Sequence, residues 1–327
     1  MKKNRLSWWG KIVVLVAAVS LFLLWYIFWG LSAGQPGSAY NKEHNAIWIG
    51  HQWVGESKTA GEIQQLVNDL RKYQIDTVFV HAGPLEANGY VSADRFDYAA
   101  RFLNIARSFD DDIEYQAWLG QLRGELDLDN PEYRANIARI SMIMTKFVGF
   151  DGIHFDIEPI WDEDEGFIQM LDEVRMKIPE EKKISVAVAK FIPRSVVWMT
   201  EKSHGLKNYN TEVNYQNIAK HADQIVAMVY DTGIPYEWAY RWLVREQTIW
   251  LTDLLVGTEV FIGIPAYEDE TKDSSFEVEN IENGLLGVVN GLNNVRSREE
   301  NFAGVAIYPY WSMDSNKWDQ YEKLWLK

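Results

Sequence analysis

The sequence predicts a (β/α)8 barrel standing behind an N-terminal membrane-spanning helix. Three observations lead there. Eight short apolar runs of strand character alternate with longer amphipathic stretches from Asn45 onward. No low-complexity tract or linker breaks that alternation, and 327 residues suit a single barrel. Ahead of it lies a basic start followed by a long run without charge. A doubly wound sheet is the structural rival, but it usually needs fewer strands, and no Gly-rich phosphate loop follows the first strand.

The elements follow in order. Lys2, Lys3, Arg5 and Lys11 are the only charges before Lys42, and the stretch from Ile12 to Gly34 is uncharged. A bilayer-crossing helix needs about 20 residues, whereas a cleavable signal has an apolar stretch of roughly 7 to 15. Trp8 and Trp9 at one end and Trp25, Tyr26 and Trp29 at the other suit the two interfaces. Residues 1–34 therefore read as a cytoplasmic basic flank and an uncleaved membrane anchor, with the remainder outside the cell membrane. Cleavage near Ala33 or Ala39 would instead secrete it. Residues 35–44 read as a short flexible linker, and residues 45–327 as the barrel.

Within the barrel the expected strands run from Asn45 to Val54, Ile75 to Gly83, Ile113 to Gln121 and Gly152 to Pro159. They continue from Lys183 to Phe191, Asp223 to Asp231, Glu259 to Tyr267 and Ala303 to Trp311. Helical segments between them include Ala60 to Tyr73, Asn130 to Phe147, Glu165 to Ile178 and Tyr236 to Leu255. Pro131 occupies a first-turn position where its missing N–H costs nothing.

Composition excludes some chemistries. There is no Cys, hence no disulfide, thiol nucleophile or cysteine metal site. Beyond the basic start, 28 basic residues face 47 acidic ones, a net charge of −19, which disfavours nucleic acid and anionic headgroups as partners. Fifteen Trp and sixteen Tyr provide flat rings that fill cores and also suit the faces of sugars.

The stretch "DGIHFDIEP" (Asp151 to Pro159) carries the clearest sign of function. Ile153, Phe155 and Ile157 alternate with His154, Asp156 and Glu158, so a strand would turn the apolar trio to one side and the polar trio to the other. In a barrel the polar trio points inward and Glu158 reaches the mouth, where the strand ends converge. Two carboxylates on one strand face discourage each other's ionisation, which favours a protonated acid near neutral pH. His51 and His81, near the ends of the first two strands, invite a metal reading together with His154 and Asp156. No His-x-His pair or compact ligand motif supports it, and neither a metal nor another cofactor is expected.

"DGIHFDIE" resembles the D-G-x-D-x-D-x-E signature of family 18 glycoside hydrolases, the chitinase-like enzymes, through Asp151, Gly152, Asp156 and Glu158. "AMVYD" (Ala227 to Asp231) is similar to that family's M-x-Y-D, and "GVAIYPYWSMD" (Gly304 to Asp314) resembles its last strand. The resemblance implies substrate-assisted, retaining hydrolysis of a polysaccharide containing N-acetylglucosamine. It implies that Glu158 is the general acid and base, that Asp156 orients the acetamido group, and that Tyr230 hydrogen-bonds to that group. Asp151, His154, Asp231, Tyr308 and Trp311 are the expected substrate contacts. The chain departs from the signature where His154 replaces an Asp and Ile157 a Trp; Tyr308 stands nearest the family's last-strand Trp. Two alternatives are a carbohydrate-binding protein without turnover and a barrel glycosidase using Glu158 with another carboxylate.

Overall fold

A computed structural model describes residues 7–29, 34–192, 209–268 and 275–327. Lys2, Lys3, Arg5 and Ala33 lie outside the described residues. The first helix, α1 (Trp8–Trp29), contains a stretch from Trp8 to Tyr26 long and apolar enough to cross a bilayer.

Eight parallel strands close into a ring: β1 (Asn45–Ile49), β2 (Ile75–His81), β3 (Glu114–Leu122), β4 (Gly152–Glu158), β5 (Lys183–Ala189), β6 (Gln224–Met228), β7 (Glu259–Pro265) and β8 (Phe302–Tyr308). Neighbours in sequence are neighbours in space, and β1 closes on β8 through Ala46↔Ala306 and Ile47↔Ile307. A helix follows each strand: α2 (Ala60–Lys72), α3 (Ala99–Phe109), α4 (Pro131–Met142), α5 (Glu165–Arg175), α6 (Glu212–Ala219), α7 (Glu237–Leu254), α8 (Ile281–Leu292) and α9 (Ser315–Tyr321). This is the expected (β/α)8 barrel.

Local chemistry explains the helix starts. Thr59 and Glu62 form a reciprocal capping box at α2, whose Ile63, Leu66, Val67 and Leu70 fall on one face and are buried. Asn130 caps α4 ahead of Pro131, and Asp164, Asn280 and Asp314 cap α5, α8 and α9. The first strand is shorter than expected. It stops at Ile49, and Gln52–Gly55 form a helical turn with His51 at its N-cap.

Alternation divides the core into two. Outward residues such as Ile47, Val78, Ile153, Phe155, Ile157 and Ile225 join the layer between strands and helices. Inward residues Ala46, Trp48, Phe79, Trp118, Val226 and Phe261 fill the ring itself. The floor of the ring, at the strand starts, is polar and paired. Gln116 donates to Gln224 (2.7 Å), Gln224 to Glu259 (2.7 Å) and Lys183 to Glu259 (3.0 Å), while His44 Nδ1 sits 2.6 Å from Asp76.

Residues 35–44 are docked on the barrel rather than forming a free spacer. The backbone N–H of Gln35 donates to Asn293 Oδ1 (2.7 Å), Tyr40 is buried and donates to the same oxygen (2.9 Å), and Lys42 donates to the Glu299 and Phe302 carbonyls. Trp325 is fully buried and donates to Asn45 Oδ1 (2.8 Å), which joins the end of the barrel to its first strand.

Candidate active site

β4 delivers the carboxylates. Its register sets His154 opposite Trp118, Asp156 opposite Gly120 and Glu158 opposite Leu122 on β3. Gly120 sits beside both groups: a Cβ there would lie in ordinary contact with Trp118 Nε1 (3.4 Å) and Asp156 Oδ2 (4.0 Å). There Trp118 Nε1 donates to Asp156 Oδ2 at 2.9 Å, whereas Asp156 Oδ1 is buried with no partner.

Burial raises both carboxyls above their ordinary range. For Asp156 the Trp118 hydrogen bond partly opposes the effect, leaving it at about 6. Glu158 is pushed further, to about 8, by burial and then by the neighbouring Asp156 and Asp231, with Lys190 pulling the other way. The two titrate as a pair, and the outer member holds its proton the more tightly. Lys190, directly after β5, donates to the Tyr230 carbonyl (2.5 Å) and the Asp231 carbonyl (3.1 Å), tying its positive charge to the end of β6.

Aromatic rings wall the mouth. Tyr230 stacks on Tyr308 with centroids 5.6 Å apart and planes at 11°, and Tyr267 meets both rings edge-on. Burial raises the Tyr230 phenol well above its usual range, and burial with Asp156 nearby pushes Tyr308 up to about 12. Both remain hydrogen-bond donors at any ordinary pH. Asp231 lies at the surface in the left-handed region (φ 52°), which Asp tolerates better than most residues, and accepts from Tyr267 Oη at 2.8 Å. Trp311 is 50 % exposed and stands edge-on to Tyr308. A hollow of about 420 Å³ opens beside these rings, lined by Gly50, His51, Gln52, His81, Trp118, Tyr308 and Trp311. A hollow of about 500 Å³ on the barrel flank has no Phe, Tyr or Trp and neither Asp156 nor Glu158 in its wall.

The structure thus gathers Asp156, Glu158, Tyr230, Asp231, Tyr308 and Trp311 at one mouth. It does not bring Asp151 there. Asp151 precedes β4 at the floor, roughly 20 Å along the strand from Glu158, where it pairs with Arg107 (2.8 Å) and Lys182 (3.1 Å) and accepts the Tyr115 N–H (3.0 Å). Its role there is to hold β3, β4 and their flanking segments together, so the expected substrate contact is corrected. His154 is also withdrawn from any ligand: it is fully buried, stacked on Phe79 with centroids 3.8 Å apart. Trp48 Nε1 donates to its Nε2 (3.1 Å), so the ring proton sits on Nδ1 and goes to Ser185 Oγ (2.8 Å). Burial lowers its pKa to about 3, leaving a neutral core histidine rather than a donor to Asp156.

Four residues that sequence reasoning did not place at the site belong to it. Lys190 and Tyr267 lie just beyond strand ends, whereas Trp118 points inward from the middle of β3; a Lys closing the apolar run of β5 was a readable signal. Glu279 is fully buried just below Asp231. It accepts from the Thr232 N–H (2.9 Å) and hydroxyl (2.7 Å), and nothing in the local sequence announces it. Among the described residues no three His, Cys, Asp or Glu side chains are grouped to hold a metal ion.

The sequence model for "Glycosyl hydrolases family 18" matches residues 110–325. No curated protein matches the chain in sequence. Among solved structures, the spore cortex-lytic enzyme SleL of Bacillus cereus superposes with a TM-score of 0.60 at 12% identity, covering 89% of this chain and 75% of that one. A class V chitinase from Pseudomonas fluorescens gives 0.59 at 12% identity over 87% and 99%. A mutant plant class V chitinase from Cycas revoluta, in complex with (GlcNAc)3, gives 0.59 at 13% identity over 86% and 99%. At such identities the superpositions speak for the barrel, and the sequence match speaks for the lineage. The chain belongs to glycosyl hydrolase family 18, and it is a glycosidase.

Proposed function

We propose that the chain is a membrane-anchored, extracytoplasmic glycosidase that cleaves an N-acetylglucosamine-containing polysaccharide by substrate assistance with retention. The observation that carries this reading is the placement of Asp156 and Glu158 on one face of β4, at a mouth walled by Tyr230, Tyr308 and Trp311, where burial raises both carboxyls.

In the first step the acetamido oxygen of the bound sugar attacks its own anomeric carbon while Glu158 gives its proton to the departing glycosidic oxygen. The C–O bond to the leaving sugar breaks as the ring C–O bond forms. Ionised Asp156 stabilises the positive charge on that ring, and the Tyr230 hydroxyl holds the acetamido oxygen. In the second step Glu158, now a carboxylate, takes a proton from water as that water opens the ring, giving net retention. Asp231, Tyr308 and Trp311 are the proposed sugar contacts, the rings offering their faces.

The length and hydropathy of α1 support the anchor, and the basic residues before it support a cytoplasmic N-terminus. The test is cleavage of N-acetylglucosamine oligomers by the full chain in detergent, with the product anomer read by NMR before it equilibrates. Retention together with inhibition by a thiazoline mimic of the cyclised sugar supports the reading; inversion, or turnover of sugars lacking the acetamido group, refutes it. One observation favours a second reading, a binding protein without turnover: His154 cannot share a proton with Asp156. Binding of N-acetylated glycans without any cleavage would select it.

A further inference from the structure

The hollow beside the catalytic rings is unlike the rest of this acidic chain. Its wall contains no carboxylate but two imidazoles, His51 from the β1 loop and His81 at the end of β2, with ring centroids 6.0 Å apart. Among the described residues neither imidazole has a hydrogen-bond partner. His81 makes ring contacts only, with His51 and with Trp118 (4.5 Å), and His51 Nδ1 is buried and unsatisfied. Gly55 makes room for His51, since a Cβ there would strike its Nε2 at 2.2 Å.

We propose that His51 and His81 form a subsite for a carboxylate-bearing sugar adjoining the N-acetylated sugar at the carboxylate pair. This rests on the function proposed above and adds the class of polymer. In a chain of net charge −15, an anionic glycan is repelled by most of the surface, and a wall with no carboxylate and two imidazoles able to take up a proton is where it can be held. Arg95 lies on the turn Ala93–Phe96 between β2 and α3, and it adds its field to that of His51 at His81. Trp118 joins the two regions, because it forms one wall of the hollow while its Nε1 holds Asp156.

Electrostatics give the subsite a pH signature. Burial, then His51, then Arg95, lower His81 to about 4, so the empty hollow disfavours a proton there. His51 and Arg95 both disfavour a proton on His81. Asp94, on the same turn as Arg95, bonds to Ser92 Oγ, and Asp156 stands behind Trp118. An incoming carboxylate reverses the sign of that field and binds together with a proton, so its affinity rises as pH falls from 7 to 5. A neutral sugar takes up no proton and gains nothing.

The experiment uses the full chain in detergent carrying Glu158→Gln, so that ligands are bound but not turned over. Two probes are compared by calorimetry at pH 5 and 7: an alternating N-acetylglucosamine/N-acetylmuramic acid tetrasaccharide, and its methyl ester, which has the same shape without the charge. The free acid is expected to bind at least tenfold more tightly than the ester at pH 5, with a smaller preference at pH 7. His51→Gln combined with His81→Gln should bring the preference within threefold. Arg95→Gln, on an exposed turn where folding is not at stake, should reduce it about threefold. Equal binding of acid and ester, or a preference that survives these variants, overturns the subsite. If the ester binds and N-acetylglucosamine oligomers are cleaved, the function stands without it. Failure of both probes, with no cleavage of any N-acetylated glycan by the unmodified chain, overturns the function and the subsite with it.

Discussion

The two ends of the barrel handle buried charge in opposite ways. At the floor Asp76, Asp151 and Glu259 each have a cation or a donor, while Glu114, with Lys183 3.7 Å away, is raised by burial. Burial opposes the charge on His44, yet hydrogen bonds to Asp76 and Glu259 outweigh it and raise that ring to about 9. Burial likewise opposes ionised Glu259, yet His44, Gln224 and Lys183 hold it at about 2. At the mouth, Asp156 and Glu158 stand on one strand face with Asp231 nearby; burial raises both, and like-charge repulsion from Asp156 and Asp231 adds to it for Glu158. The same strands carry both ends, so the difference lies in partners rather than scaffold. Paired charge holds the ring together, and poorly paired charge leaves a proton ready for transfer.

The sharpest way to break this contrast is Glu158→Gln. Turnover should fall by roughly a thousandfold or more, the loss typical of a general acid. Stability should move the other way. A carboxyl whose folded pKa lies above its unfolded value near 4.5 costs the native state progressively as pH rises from there to about 8. The variant should therefore melt roughly 2 °C above the unmodified chain at pH 8 and no higher at pH 4, as calorimetry would read. Equal melting temperatures at pH 8 would show that Glu158 is not a strained acid.

Next in size is Tyr230→Phe. It keeps the stacked ring but removes the hydroxyl proposed to hold the acetamido oxygen, and kcat should drop by about a hundredfold, the scale of one lost transition-state donor. An unchanged kcat would remove Tyr230 from the chemistry.

The pH–rate profile sharpens the mouth further. Activity should rise through about 6 as Asp156 ionises and fall through about 8 as Glu158 loses its proton. Trp118→Phe removes the donor that favours ionised Asp156, so the acid limb should move to higher pH while the alkaline limb stays. A shift of both limbs together, or of neither, would contradict the assigned bond. The rate at the optimum should fall about tenfold.

The smallest effect belongs to the floor. Glu259→Gln should cost about 1 kcal/mol or less, because the site is partly open to solvent and screened. His44 contributes fully below pH 6.5 and less as pH rises through about 9, whereas Glu259 contributes above pH 4.5 and less as pH falls through about 2. The loss should therefore be greatest between pH 4.5 and 6.5 in urea titrations. A loss that peaks at pH 9 would refute the pairing.

Much of this was readable before any coordinates. Eight apolar runs were enough for the ring, and the period of two in "GIHFDIE" was enough to turn Asp156 and Glu158 inward, because one strand's alternation is a local property. What stayed hidden depends on register and on distant partners. Nothing in "DGIHFDIE" says that Trp118 rather than His154 meets Asp156; that follows from the alignment of β3 against β4. Asp151 carries the motif's first letter, yet Arg107 and Lys182 claim it at the other end of the strand. The docking of residues 35–44 was illegible for the same reason, since Asn293 lies 258 positions from Gln35.

The seam between β1 and β8 has a consequence for how such a chain is made. One edge of β1 finds β2 soon after synthesis, but its other edge waits for Phe302–Tyr308, nearly the whole domain later. Until then the nascent sheet exposes two unpaired borders, a template for aggregation. Trp325, bonded to Asn45, closes over the same seam. Closing that seam, more than any earlier pairing, is the step that makes this barrel safe from its neighbours.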